Sequence, residues 1–217
     1  DGAGRLSRDG DGLPVMVSVG LLDVLFEENQ SEGLGGGLFV WGGLAASGCR
    51  FADNDASMVG GAIEALSAIL NACELVNNSS GFPGGAVSAQ RLLAVNCLMG
   101  GNVAASDQGH AVFLAPQGVT VDGYPVGDLA SQLVHCTLAY PTALAGSALY
   151  VQPPGLTSPQ LGTAFGTVVM TNTLLANYGI GIELASDTLV EDYGLYDQVT
   201  VPISGPAALG GHSFVGT

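Results

Sequence analysis

Two carboxylates, Glu28 and Asp53, occupy the same place in two successive copies of one short phrase, with Asn77 in that place in the next copy. Stacked copies would bring such carboxylates within the ~5–9 Å that glycoside hydrolysis requires of its acid and base pair. The same pair could hold calcium weakly, or could be a solvated acidic turn, and the turn is the reading adopted here. A second acidic group, Asp187, Glu191 and Asp192, has Tyr193 and Tyr196 alongside, residue types that can bind sugar or simply pack. The histidines are few and scattered, at His110, His135 and His212, and no Ser/His/Asp or Cys/His grouping follows from their spacing. Lysine is absent and the arginines are Arg5, Arg8, Arg50 and Arg91, so the strong base of a lyase has few candidates. Asp9-Gly10-Asp11-Gly12 looks superficially like a calcium loop but lacks a Glu at the twelfth position. No catalytic residue and no metal site is assigned, and no cofactor beyond weak calcium binding is expected.

The elements that position these residues are set by repetition. Phe26-Glu27-Glu28-Asn29, Phe51-Ala52-Asp53-Asn54, Leu75-Val76-Asn77-Asn78 and Met99-Gly100-Gly101-Asn102 place Asn at intervals of 25, 24 and 24 residues. A Gly pair with an apolar run follows each of the first three, at Gly36-Gly37-Leu38-Phe39, Gly60-Gly61-Ala62-Ile63 and Gly84-Gly85-Ala86-Val87, and Gly109-His110-Ala111-Val112 follows the fourth. Cys49, Cys73 and Cys97 keep the same beat. Self-similarity of this period marks a solenoid whose repeats bury their apolar sides against one another.

Within one repeat the residues alternate with period two, as Val95, Cys97 and Met99 do against Asn96 and Leu98. No window carries a clean helical stripe, and glycine contributes 34 of 217 residues. The expected fold is all-β: a right-handed, single-stranded parallel β-helix of about seven coils. Stacking at ~4.8 Å turns equivalent positions into ladders. Asn29, Asn54, Asn78 and Asn102 are expected at a corner where Asn tolerates left-handed backbone, and the Gly pairs at the opposite corner. Cys49, Cys73, Cys97 and Cys136 are expected as an inward column. Unpaired thiols are the reading adopted for them, with coil-to-coil disulfides or a metal site as the other two. Arg50 and Glu74 are expected to face outward and pair. Asn29-Gln30-Ser31 and Asn78-Ser79-Ser80 are formal glycosylation sequons whose Asn belong to the ladder.

These joined phrases, FxxN with GGA[ILV], resemble the repeats of the chlamydial polymorphic membrane proteins and related bacterial extracellular repeat proteins. Phe26 to Asn29 and Phe51 to Asn54 match the first element, and Gly60 to Ile63 and Gly84 to Val87 the second. The strong part covers about 24–112, and looser coils carry the likeness to about 200. The resemblance implies a secreted or surface-displayed passenger of a bacterium, often adhesive, and brings no catalytic motif.

A single domain is expected over 1–217: a leading segment at 1–14, regular coils over 15–112, coils with two insertions over 113–200, and a tail over 201–217. The insertions show as stretched intervals, 39 residues from Cys97 to Cys136 and 36 from Cys136 to Asn172, taken as the next matching position. They fall at about 116–128 and 152–162, on one flank, and that flank is the expected partner surface, with Asp122, Tyr124, Asp128, Gln152 and Gln160 as contact residues. The tail is expected to continue into further coils or to dock end to end in a homo-oligomer or filament.

Nineteen acidic against four basic side chains give a net charge of −15, which argues against nucleic acid and anionic lipid as partners. Mean hydropathy is +0.43, yet no apolar run reaches the ~18 residues of a membrane span, and a soluble chain is expected. No charged-then-apolar leader precedes Asp1, so a signal peptide is expected to be removed or to lie outside this sequence. The function expected is an extracellular structural or adhesive module that presents loops to a protein or glycan. A polysaccharide lyase or glycoside hydrolase is the alternative.

Overall fold

A computed structural model describes residues 17–115, 120–121, 124–125, 130–152, 167–185 and 188–216. Among these there is no helix, and so none long and apolar enough to cross a membrane. The protein is all-β, with a large, mostly parallel sheet curled into a half-barrel.

The register explains the repeat. Leu38 pairs with Ile63, Ile63 with Val87 and Val87 with Val112, so each residue lies beside the one 24 or 25 positions on. A second ladder runs Leu25, Arg50, Glu74, Leu98, Thr137, Leu174 and Leu195. Its steps lengthen where the chain carries insertions and shorten to 21 residues between Leu174 and Leu195. Inward positions on these ladders are apolar and sealed: Phe51, Leu75, Met99, Leu138, Leu175 and Tyr196 form one column, each 0% exposed. Phe26 continues it, its ring stacked on Phe51 at 4.8 Å. Burial of such side chains contributes about 1.5–3 kcal/mol each and is the main source of stability.

Three details of the expected ladders are corrected. Asn29, Asn54, Asn78 and Asn102 do not take the left-handed backbone; the residues before them do, Glu28, Asp53, Asn77 and Gly101, at φ 55°, 54°, 55° and 66°. The Asn side chain needs an ordinary backbone to point into the next level, so its predecessor makes the turn. The first glycine pair is displaced by one: Leu38 lies beside Ile63, which aligns Gly35 with Gly60. Gly35, Gly60, Gly84 and Gly109 are the left-handed residues there, at φ 58°, 70°, 87° and 59°. The residue matching Cys136 is Thr173, not Asn172, because Thr137 pairs with Leu174. The tail adds strands to the sheet: Val201–Ser204 pairs with the strand Leu174–Leu184, and Phe214–Val215 with Leu195–Asp197.

The two long insertions leave the sheet from neighbouring points. Leu114 pairs with Val151 just before them, and Ser131 with Val168 just after.

Candidate functional site

The ladder residues are engaged with one another. The Asn54 amide Nδ2 donates to Asn78 Oδ1 at 2.9 Å, and Asn78 Nδ2 to Asn102 Oδ1 at 3.0 Å. Each Oδ1 also accepts a backbone N–H one level away, at 3.0 Å from Asn54 and 2.9 Å from Asn78. Asn29 joins the top of this spine, donating to Asn54 Oδ1 at 2.8 Å. With Asn54, Asn78 and Asn102 each 0% exposed and bonded level to level, this amide row is a structural spine.

Cys49, Cys73, Cys97 and Cys136 are free and buried. Their thiols donate to carbonyls of their own and the preceding level, as Cys97 does to Val95 and Leu70 at 3.3 and 3.5 Å. The neighbouring Cys136 sulfur, then burial, push the Cys97 thiol up to about 11, and Cys73 is raised through Cys97 in the same way. The same contact lowers Cys136, and burial keeps all four thiols from solvent. Thr173 takes the cysteine's place one level on, its hydroxyl donating to Leu133 and Thr171 at 3.3 and 3.1 Å. Asn172 mirrors Asn96 as the left-handed residue before it, and that pairing of Asn-Cys with Asn-Thr is the signal in the sequence for Thr173.

The remaining sequence candidates separate. Glu28 and Asp53 share one solvated corner column with Asn77, all exposed. Glu191 is buried instead, accepting from Gly210 N at 2.8 Å and Ser213 Oγ at 2.6 Å. Asp192 meets the His212 imidazole at 3.0 Å, and Tyr193 stacks on that ring at 4.6 Å. This acidic group holds the tail, with Tyr196 in the core; Asp187 lies outside the described residues. His110 is sealed in the interior: Nδ1 accepts from Ala104 N at 3.0 Å and Nε2–H donates to Ala145 O at 2.7 Å. Burial lowers its pKa, so it is a neutral structural imidazole. Arg50 lies 3.3 Å from Glu74 and 3.7 Å from Glu27, an exposed trio of small energetic weight. Of the loop candidates, Asp122, Asp128 and Gln160 lie outside the described residues. Tyr124 is in the short strand Tyr124–Pro125, paired with Thr120–Val121. Gln152 is exposed where the second insertion leaves the sheet, its N–H donating to Leu114 O at 2.9 Å.

The arrangement with binding chemistry is one that the repeat does not announce. Phe39, Glu64, Ser88, Phe113, Tyr150, Glu183 and Ser204 are in register across successive strands, on the face away from the core. Phe113 and Tyr150 stack at 5.7 Å with rings 8° from parallel. At the other end Trp41, two residues after Phe39 and so on the same face, is exposed and meets Phe39 edge-on at 6.2 Å. Between the two aromatic pairs lie polar atoms without partners. Glu64 Oε2, Gln90 Oε1 and Arg91 Nε are each buried and unbonded, and burial, only partly offset by a bond from Ser88, pushes Glu64 up to about 7. Unsatisfied buried polar groups are rare and costly, and each calls for a partner; two more, the Tyr178 and Tyr196 hydroxyls, lie in the core. An open groove of about 360 Å³ adjoins the stacked pair, walled by Met58, Phe82 and Pro83 with Gln108 and Gln152 at its polar rim. A second hollow, lined by Leu21, Leu22, Ala45 and Ile69, offers little polar surface to orient a ligand.

One rule of the chain generates this track. Phe39, Glu64, Ser88, Phe113 and Tyr150 each stand four residues after a left-handed glycine: Gly35, Gly60, Gly84, Gly109 and Gly146. The missing Cβ makes room for the outward side chain, since a Cβ on Gly84 would lie 3.1 Å from the Cβ of Phe113 and one on Gly109 3.2 Å from that of Tyr150.

Comparison with protein families, with curated proteins and with solved structures finds no match to the chain.

Proposed function

We propose that the chain is a right-handed parallel β-helix of about seven coils that works as an extracellular structural or adhesive module, holding a protein or glycan partner without transforming it. The winding is supported by the register, which carries each position onto its equivalent one repeat later. The observation that carries the functional reading is the aromatic and amide track, which ends beside the points where both long insertions leave the sheet. A paired sheet holds the platform, and both insertions depart from its margin, an arrangement suited to recognition. The candidate acids are read as structural: Glu28 and Asp53 stand on a solvated corner and Glu191 accepts bonds from the tail.

The test is incubation of the protein with immobilised polysaccharides and extracellular matrix proteins, reading retention and newly formed reducing ends together. Retention without release supports the module. Release that disappears in Asp53→Asn or Glu28→Gln establishes the carbohydrate-active alternative, and failure to be retained by any surface overturns the adhesive reading.

A further inference from the structure

We propose that the track from Trp41 to Tyr150 binds a neutral, linear oligosaccharide laid across the strands, with sugar faces on the aromatic rings and hydroxyls on Glu64, Ser88 and Gln90. This rests on the adhesive reading and specifies its ligand. Three observations carry it. First, the track repeats at the strand spacing of ~4.8 Å, close to the length of one pyranose unit, so successive sugars meet successive strands in phase. Four steps separate Phe39 from Tyr150, a span of ~19 Å that accommodates about four units.

Second, the chemistry is mixed as a sugar's is, aromatic at both ends of the track and polar in its middle. Exposed Phe39 and Trp41 at one end and half-buried Tyr150 at the other supply apolar surface for the C–H faces of pyranose rings, with buried Phe113 stacked against Tyr150. Between them, Glu64 Oε2 and Gln90 Oε1 are acceptors without donors, the complement of sugar hydroxyls. A peptide adding to the sheet would need an open strand edge, and from Glu64 to Tyr150 the track's strands are paired on both sides; among the described residues only 38–41 have a partner on one side alone.

Third, charge selects the ligand class. The chain carries −15, and Glu64 and Glu183 lie in the track itself, so a polyanionic glycan meets repulsion along its length. Arg91, beside Ser67 across the bend of the strand, is the one cation near it among the described residues.

The experiment is calorimetric titration of the intact chain with cello-, manno- and xylo-oligosaccharides of two to six units, with oligogalacturonate as the acidic counterpart. At least one neutral series is expected to bind, with affinity rising to about four units and then levelling. Tyr150→Ala and Trp41→Ala are expected each to weaken it about tenfold or more, whereas Tyr150→Phe, which keeps the ring, loses far less. Ile69→Ser, exposed and off the track, serves as the control, and thermal melts of all variants separate lost binding from lost folding. Binding of the acidic series alone, affinity indifferent to Tyr150 and Trp41, or no binding by any neutral oligomer overturns the inference. If an extracellular protein is retained while every neutral oligosaccharide fails, the adhesive reading stands and this one falls. If neither is held, both fall.

Discussion

At the residue scale, Glu64 separates the fold's interest from the ligand's. Burial raises its carboxyl from 4.5 to about 7, so the folded state prefers the protonated acid. That preference contributes stability fully below about pH 4.5 and is lost as pH rises through 7. Glu64→Gln keeps the shape and removes the charge; the variant is expected to match the parent near pH 4.5 and to be more stable by about 1–2 kcal/mol at pH 8, after discounting for solvent access. His110 acts in the opposite sense. Its lowered pKa gives stability that is present above 6.5 and lost as pH falls below it, so the acid limb of the profile should survive in Glu64→Gln while the alkaline limb flattens. Denaturant midpoints from pH 4.5 to 8 measure both limbs, and an unchanged alkaline limb would remove Glu64 from the account. A destabilising, partnerless carboxylate on an aromatic track is the kind of local cost that binding sites retain.

At the scale of elements, close stacking depends on glycines that the sequence shows but whose reason only the register supplies. Gly36, Gly61 and Gly85 each follow a left-handed glycine, and a Cβ on any of them would strike a carbonyl oxygen of the next level, those of Gly61, Gly85 and His110 in turn. Backbone cannot step aside as a side chain can, so Gly61→Ala is expected to cost about 3 kcal/mol or more, read as a fall in the urea midpoint. Gly20→Ala, where a Cβ meets nothing within 4 Å, should be within ~0.5 kcal/mol of the parent. Equal effects at the two sites would mean that the levels are not held at this spacing. The Asn and Cys beats were legible because one residue type recurs at one interval. The left-handed corner before each Cys position was not, because Asp23, Gly48, Ala72, Asn96, His135, Asn172 and Tyr193 repeat no residue type except Asn, at two places far apart. For the same reason the track was invisible as a motif: its members differ in type, and an outward position is free to vary where an inward one must fit the core. Counting four residues from each left-handed glycine finds it, but which glycines are left-handed is fixed by the stacking.

On the scale of the whole molecule, a large parallel sheet must end somewhere, and an unpaired strand is a template for another chain. The strand Thr188–Asp192 pairs with Thr167–Thr171 and, among the described residues, with no strand on its other side. Residues 210–213 lie over it, held by side chains rather than by a ladder: Glu191 accepts from Gly210 N and Ser213 Oγ, and Asp192 from His212 N at 3.1 Å. The sequence suggested that this acidic group could bind sugar; Glu191 turns inward and the more exposed Asp192 meets His212, and both fasten the tail over the strand. Replacing both anchors, Glu191→Ala with Asp192→Ala, removes these bonds and leaves the inward apolar column ending in Tyr196 unaltered. The expected outcome is faster amide exchange over 188–192 together with self-association that grows with protein concentration in sedimentation. Salt should strengthen that association, because a chain of net charge −15 repels its copies and screening relieves the repulsion. A double variant that stays monomeric at high salt, with exchange over 188–192 unchanged, would show that something other than this clasp protects the strand.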